Sequence, residues 1–216
     1  MMRGIFIVLE GGDRSGKSTQ CNLAICALRK IGHKVEGISF PNRNTPSGKL
    51  IEQCLNQNSL IDDRALHLLF SANRWELSQY IWDTLKSGVS IVCDRYIYSG
   101  IAFTAAKGYD LKWCCAPEIG LPAPDLILFM DLSVEISADR LSFGREIYET
   151  ISFQKKVRDT YQRICGADWR IINSSNSIEK IHDECMRSIH NSLCVVDLTS
   201  NPSTFNGIDN TTCKMP

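Results

Sequence analysis

Short continuous apolar runs at residues 5–9, 90–93 and 126–132 alternate along the chain with longer stretches in which apolar side chains recur every three or four positions. Runs of that length predict strands buried on both faces, and such strands belong to a parallel sheet covered by helices on each side. Cys21, Ala24, Leu28 and Ile31 have helical spacing, as do Leu66, Phe70, Leu77, Ile81 and Leu85. The spacing predicts helices over 17–31, over 64–86 as one long element, and over 177–191. Two further strands fit 34–40, stopped by Pro41, and 169–173. The expected fold is α/β, with three α/β/α layers and a five-stranded parallel sheet flanked by helices.

No internal repeat or interdomain linker interrupts the pattern, so residues 1–195 read as one domain. From 197 to 212, thirteen of sixteen residues are Asp, Asn, Ser, Thr, Gly or Pro, which predicts a polar tail over 196–216 in loose coil. The chain has 216 residues, with 24 Lys plus Arg against 24 Asp plus Glu. A net charge of zero excludes a general polyanion binder, so nucleic acid is not an expected partner. Apolar runs fall far short of the ~20 residues that cross a bilayer, so no membrane is expected either. No apolar segment of signal-peptide length follows Met1, which predicts a cytoplasmic protein, with the nucleus possible. Ten cysteines include no CxxC pair, so zinc-ribbon and redox-motif readings lose their main support, and reduced structural thiols are expected.

The segment after the first strand, Gly11 to Thr19, matches the G-x-x-x-x-G-K-[ST] phosphate-binding loop. Its context fits, because residues 5–10 read as a strand and the helix opens at Lys17. Gly12, Asp13, Arg14, Ser15, Gly16, Lys17, Ser18 and Thr19 are thus the expected nucleotide phosphate site. Glycines let backbone N–H groups converge on phosphate oxygens, Lys17 adds a point charge, and the Ser18 hydroxyl can ligand Mg²⁺. A kinase or a nucleotide-dependent switch would use such a loop. The chain has no Asn-Lys dipeptide for reading guanine and no Asp-x-x-Gly beyond the loop, which disfavours the switch.

Asp94-Arg95-Tyr96 ends the strand at 90–93, and ligands bind at the carboxyl ends of strands in open α/β sheets. Asp94 can hold Mg²⁺ through water, and the Arg95 fork can bridge donor and acceptor phosphates. A nucleoside kinase would want a carboxylate near the end of the second strand to deprotonate a hydroxyl. That strand instead runs into Phe40-Pro41-Asn42-Arg43, and a cation suits an acceptor that is already a phosphate.

These strings resemble thymidylate kinases, the P-loop enzymes that phosphorylate dTMP to dTDP with ATP. The matching segments are the loop with Asp13-Arg14, Phe40-Pro41 with Arg43, residues 69–76, Asp94-Arg95-Tyr96 with Ser99-Gly100, Ala102-Phe103-Thr104, Gly120-Leu121-Pro122, Pro124-Asp125-Leu126, Tyr148-Glu149 and Phe153-Gln154. The resemblance spans about residue 3 to 190, and is nearest to eukaryotic and poxviral members. It implies a P-loop fold with a short lid over about 143–150, ATP as donor, Mg²⁺ as cofactor, dTMP as acceptor and a homodimer. By this resemblance the catalytic groups are Arg14, Lys17, Asp94 and Arg95, with Ser18 and Asp94 at the metal. Asp13 would bind the acceptor's 3′-hydroxyl, Phe70 would stack on thymine, Arg74 would read the base, and Tyr96 would crowd the ribose 2′ position. Arg43 and Arg95 would clamp the acceptor phosphate, with Phe40, Ser99, Gly100 and Phe103 completing the acceptor pocket. Arg140 would border the donor adenine, while Tyr148 and Gln154 close over the acceptor. Two departures stand out: the chain ends in the polar tail where many members have a Gly-x-Leu-Trp segment, and it carries Arg145 in the lid besides Arg14 in the loop. The alternative reading is a related P-loop deoxynucleoside or nucleoside monophosphate kinase.

The apolar excess on the expected helix over 64–86, including Leu68, Leu69, Trp75 and Trp82, is more than one core face absorbs and also points to a homodimer. Phe70 and Arg74, four apart, would share a face and address one ligand. Four histidines, at 33, 67, 182 and 190, have no ligand or triad spacing and are assigned to packing and surface, His67 included.

Overall fold

Each apolar run becomes a strand in the structure, a computed structural model that describes residues 2–56, 61–140, 148 and 150–208. β1 (Phe6–Glu10) leads through the glycine-rich loop into α1 (Lys17–Lys30) and β2 (Val35–Ser39). Three helices follow, α2 (Pro46–Asn56), α3 (Asp63–Glu76) and α4 (Ser78–Lys86), before β3 (Ser90–Asp94). Then come α5 (Ile97–Ala105), α6 (Leu111–Cys115) with a 3-10 turn at Ala116–Glu118, β4 (Leu126–Asp131), α7 (Val134–Ala138), α8 (Ile151–Ile164), β5 (Arg170–Asn173) and α9 (Ile178–Val195).

The five strands form one sheet in the order β2-β3-β1-β4-β5, every neighbour parallel. Period-two alternation divides the core between its faces. Phe6 and Val8 of β1 point to a layer built on α4, α5 and α8, with Ile81, Leu85, Ile101, Val157 and Tyr161. Ile7 and Leu9 point to the other layer, with Cys21, Ala24 and Leu28 of α1 and Ile181, Cys185 and Ile189 of α9. The three middle strands end in carboxylates, Glu10, Asp94 and Asp131, all at the carboxyl edge of the sheet. Among the described residues no helix is long and apolar enough to cross a membrane.

Three expectations need correction. The single helix over 64–86 is two helices that meet at Leu77, which caps both. No Pro or Gly marks this break. The Leu77 N–H bonds back to the Arg74 carbonyl and the Ser78 hydroxyl takes the Trp75 carbonyl, so a local side-chain bond competes with the helical ladder. The break turns Ile81 and Leu85 fully into the core, leaving Leu68 and Trp75 exposed on α3. The last helix also runs past 191, to Val195.

The described part of the tail, 196–208, has no helix or extended strand, yet it is packed rather than loose. Phe205 is 4% exposed and edges onto Tyr98, which meets Trp169. Backbone bonds tie Phe205 to Leu121 and Gly120, and Ala123 to Ser203, with an antiparallel bridge between Pro122 and Thr204. Phe205, the flanking contacts of Val196, Leu198 and Ile208, a short backbone ladder and Arg3 bonds to the Leu198 and Ser200 carbonyls together seat a segment whose composition is polar.

Candidate active site

The loop between β1 and α1 closes at Gly16, whose φ of 94° lies in the left-handed region that a side chain would strain. Gly16 at the N-cap has no side chain to cap α1, which leaves the positive end of the helix open to an anion. Lys17, 5% exposed, folds its ammonium onto the Gly12 carbonyl at 2.5 Å and the Ser15 hydroxyl at 3.1 Å. Burial and then the charge of Arg95 push its pKa down to about 8, while Asp94, Asp13 and Glu10 hold it up. Arg14, at φ 60°, is also left-handed. Its carbonyl accepts from Arg140 Nη1 at 2.5 Å, and Arg140 Nη2 reaches the Ser174 carbonyl at 3.1 Å. Arg140 therefore ties the phosphate loop to the turn after β5. Ser18 and Thr19 are exposed at the mouth of the loop.

The Ser18 hydroxyl donates to Asp94 Oδ2, and Asp94 Oδ1 is buried with no hydrogen-bond partner among the described residues. An orphaned carboxylate oxygen beside a hydroxyl suits Mg²⁺, which takes one or two protein oxygens and fills the rest of its shell with water and phosphate. Among the described residues no group of three or more His, Cys, Asp or Glu is placed to hold a metal ion.

Arg95 follows Asp94 at φ 65°, an uncommon conformation for a side-chain-bearing residue. It turns the guanidinium across the end of β1 to Asp13 Oδ1 at 2.5 Å, the Gly11 carbonyl at 3.1 Å and Ser99 Oγ at 3.2 Å. Burial opposes its charge, but Asp13, Tyr161, Asp94 and Glu10 together raise its pKa, so the cation is held. Behind it lies Glu10, fully buried and missed by the sequence reading. Its carboxylate accepts from the Tyr96 and Ser99 N–H groups at 2.9 and 3.1 Å, so it caps the start of α5. It also accepts from Ser99 Oγ at 2.6 Å and the Tyr161 hydroxyl at 2.9 Å. The signal was available: Glu10 closes an apolar strand just as Asp94 does.

Beside the loop opens a cleft of about 360 Å³ between the β2–α2 connection, α3 and α5. Asp13, Arg14, Asp94, Arg95 and Ser99 line its loop end. Phe40, Arg43, Phe70, Arg74, Tyr96, Gly100, Phe103 and Tyr148 line the remainder, so the acceptor residues expected from the sequence converge there. Tyr96 is sealed between Phe6 and Phe40, with ring centroids 5.2 and 5.4 Å away, and burial pushes its hydroxyl well up. Arg43 is exposed and pairs with Glu52 at 3.0 Å. Arg74 is buried, and its Nε and Nη2 grip Glu118 at 2.8 and 2.5 Å. A Cβ on Gly100 would stand 2.6 Å from Arg74 Nη2, so glycine there is what admits the guanidinium.

Gln154 departs from its expected place. It is 3% exposed and lies behind Asp13, donating to Asp13 Oδ2 at 2.6 Å and to the Tyr148 carbonyl at 3.0 Å, and accepting from the Asp13 N–H at 3.2 Å. The Tyr148 hydroxyl accepts from Lys107 at 2.7 Å, and Lys107 also pairs with Asp63 at the start of α3. Arg145 and the expected lid, apart from Tyr148 and residue 150, lie outside the described residues. Sequence reasoning also missed Asn73, fully buried, whose carboxamide holds the Asn42 N–H at 2.7 Å, Thr45 Oγ1 at 2.7 Å and Ser47 Oγ at 3.0 Å. That network shapes the connection carrying Arg43.

A phosphate cradle and an aromatic, cation-lined cleft thus meet at one guanidinium, Arg95, with a metal-competent carboxylate adjoining. That junction defines a P-loop phosphotransferase, in which positioning and charge neutralisation dominate. The thymidylate kinase family model matches residues 9–185. The chain is 48% identical over 187 residues to thymidylate kinase of Arabidopsis thaliana, covering 87% of this chain and 71% of that one. It is 44% identical over 186 residues to the Homo sapiens enzyme, covering 84% and 88%. The solved thymidylate kinase of Candida albicans superposes with a TM-score of 0.83 at 38% identity, covering 97% and 98%. The chain belongs to the thymidylate kinase family, kinases whose function is to phosphorylate dTMP to dTDP.

Proposed function

We propose that this chain transfers the γ-phosphoryl group of ATP to the 5′-phosphate of dTMP, yielding ADP and dTDP for dTTP synthesis. The observation that carries the reading is Arg95, whose one fork touches Asp13 of the phosphate loop and Ser99 of the cleft wall. A cation there serves both the phosphoryl group in flight and the acceptor oxygen. The acceptor phosphate, with a second pKa near ~6, already offers an anionic oxygen at pH 7, so no strong base is needed.

In this reading the backbone N–H groups from Gly12 to Thr19 cradle the donor phosphates, Lys17 and Arg14 neutralise them, and Arg140 borders the adenine. Ser18 and Asp94 would hold Mg²⁺, which when bound neutralises charge on the phosphate oxygens. Arg43 and Arg95 clamp the acceptor phosphate, and Asp13, braced by Gln154, takes the 3′-hydroxyl. Phe70 stacks on the base, Arg74 donates to its O4, Tyr96 and Phe40 exclude a 2′-hydroxyl, and Phe103 and Tyr148 cover the ring.

Against a nucleoside kinase stands the placement of the nearby carboxylates: Asp13 is held by Arg95 and Gln154, and Asp94 by Ser18 at the candidate metal position. Glu10 already accepts four hydrogen bonds, and Glu36 bonds Tyr80 on the exposed side of β2. A homodimer is part of the proposal: Ala65, Leu68, Ala72 and Trp75 form an exposed stripe on α3, continued by Ile119, and a second copy would cover it. The nine cysteines among the described residues are free thiols, which agrees with a reducing, cytoplasmic setting.

An ATP-coupled assay across dTMP, dUMP, dCMP, dAMP and UMP tests the reading. The expected order is dTMP, then dUMP, with the others far below. Equal turnover of dCMP and dTMP would overturn it.

A further inference from the structure

His67 and Thr104 face each other across the deep wall of the acceptor cleft, both lining it and both almost sealed from solvent. His67 lies two turns before Arg74 on α3, and Thr104 one turn beyond Gly100 on α5. The imidazole Nε2 stands 3.0 Å from the Cys114 carbonyl oxygen, and Nδ1 stands 2.9 Å from Thr104 Oγ1. A carbonyl oxygen can only accept, so Nε2 carries the proton. Burial, then the charge of Arg74, lower the His67 pKa, against Glu118 and the backbone at Cys114 and Gly100. The ring is therefore neutral at pH 7, and Nδ1 bears a lone pair.

A neutral ring of that tautomer settles the polarity of its neighbour. The one hydroxyl hydrogen of Thr104 is engaged by Nδ1, so toward the cleft the oxygen offers lone pairs alone. Arg74 is its opposite. With Nε–H and one Nη2 N–H given to Glu118, it keeps guanidinium N–H donors for the cleft it lines and can accept no hydrogen bond.

Resting on the reading of this cleft as the acceptor-base site, we propose that His67 is a positioning residue for base selection: it locks the Thr104 hydroxyl as an acceptor beside the Arg74 donor. The pair then matches an N–H next to a C=O, the imide edge of a 4-oxopyrimidine. Cytosine presents the reverse, a ring nitrogen that accepts and an amino group that donates. An unlocked hydroxyl would turn its hydrogen to that ring nitrogen, so threonine alone discriminates poorly and histidine supplies the difference.

The test compares kcat/KM for dTMP and dCMP in the full chain and in His67→Phe, Thr104→Val, Thr104→Ser and the His67→Phe/Thr104→Val double variant. His67→Phe and Thr104→Val should each lower the dTMP:dCMP ratio about 10-fold, Thr104→Ser should retain it, and the double variant should fall no further than either single. A ¹⁵N spectrum of the parent should place the His67 proton on Nε2. An unchanged ratio in either single variant, independent losses that add in the double, or a proton on Nδ1 would each overturn the inference. Should His67→Phe fail to fold, the ¹⁵N spectrum of the parent decides it, since only a ring with its proton on Nε2 can hold the Thr104 hydrogen. A parent that never separates dTMP from dCMP instead fails the dTMP reading itself.

Discussion

Arg74 and Glu118 form a two-point ion pair with both side chains nearly closed to solvent, 2% and 0% exposed, across 44 residues of chain. Burial opposes the Arg74 charge, yet the charge and hydrogen bonds of Glu118 raise its pKa, so the pair arrives in the cleft as an oriented donor. Removing one partner strands the other. Glu118→Ala should cost about 3–5 kcal/mol of stability, the usual penalty for an uncompensated buried charge. Glu118→Gln should fold better while losing about 10-fold in kcat/KM for dTMP, because the guanidinium loses its second point of fixation. Thermal melts and steady-state kinetics on both variants check this; parent-like selectivity and stability in Glu118→Ala would contradict it.

Lys17→Ala and Arg95→Ala should each reduce turnover by about 10²–10³-fold or more, because both cations serve ligand phosphates. Neither should unfold the chain, since Lys17 sits mainly on loop acceptors and Arg95 on groups with other partners. Kinetics paired with circular dichroism separates the two outcomes, and near-parent activity in either variant refutes the assignment.

The lowered Lys17 pKa sets a pH signature. Its folded value is about 8 against 10.5 for the ordinary side chain, so between those pH values the unfolded chain binds the proton that the folded chain releases. Apo stability from this group is therefore lowest below about pH 8 and rises toward 10.5. Nucleotide phosphates favour the ammonium, so ATP binding near pH 8 should take up a fraction of a proton and weaken as pH rises through it. Calorimetry in buffers of different ionisation enthalpy measures the uptake. It should vanish in Lys17→Ala.

Phe205→Ala tests the packed tail. Losing a buried ring beside Tyr98 should cost about 3–5 kcal/mol, as for other large-to-small core changes. A melt within a degree of the parent would return the tail to the loose state its composition suggests.

Leu68→Glu places a charge on the exposed α3 stripe, away from the cleft. Light scattering at micromolar concentration should give a dimer for the parent and a monomer for the variant. A monomeric parent would remove the homodimer from the proposal.

The order of strands and helices, the phosphate loop and the Asp94-Arg95 corner were legible in the sequence because each rests on local chemistry. Apolar runs specify buried strands, glycine spacing specifies the anion cradle, and a charged pair closing an apolar run falls at the ligand edge of the sheet. The resemblance implied that Phe70, Arg74, Tyr96 and Tyr148 serve one acceptor, and in the structure these four line one cleft. Only the tertiary structure decided the order β2-β3-β1-β4-β5, the break at Leu77, the Glu118 partner of Arg74, the four bonds to Glu10, the two ring contacts of His67 and the seating of Phe205. Each of these but the break depends on groups brought together across dozens of residues, where chain periodicity carries no information. At Leu77 the apolar pattern runs straight through, and the break appears only in the backbone, where the Leu77 N–H closes onto the Arg74 carbonyl and the Ser78 hydroxyl bonds the Trp75 carbonyl.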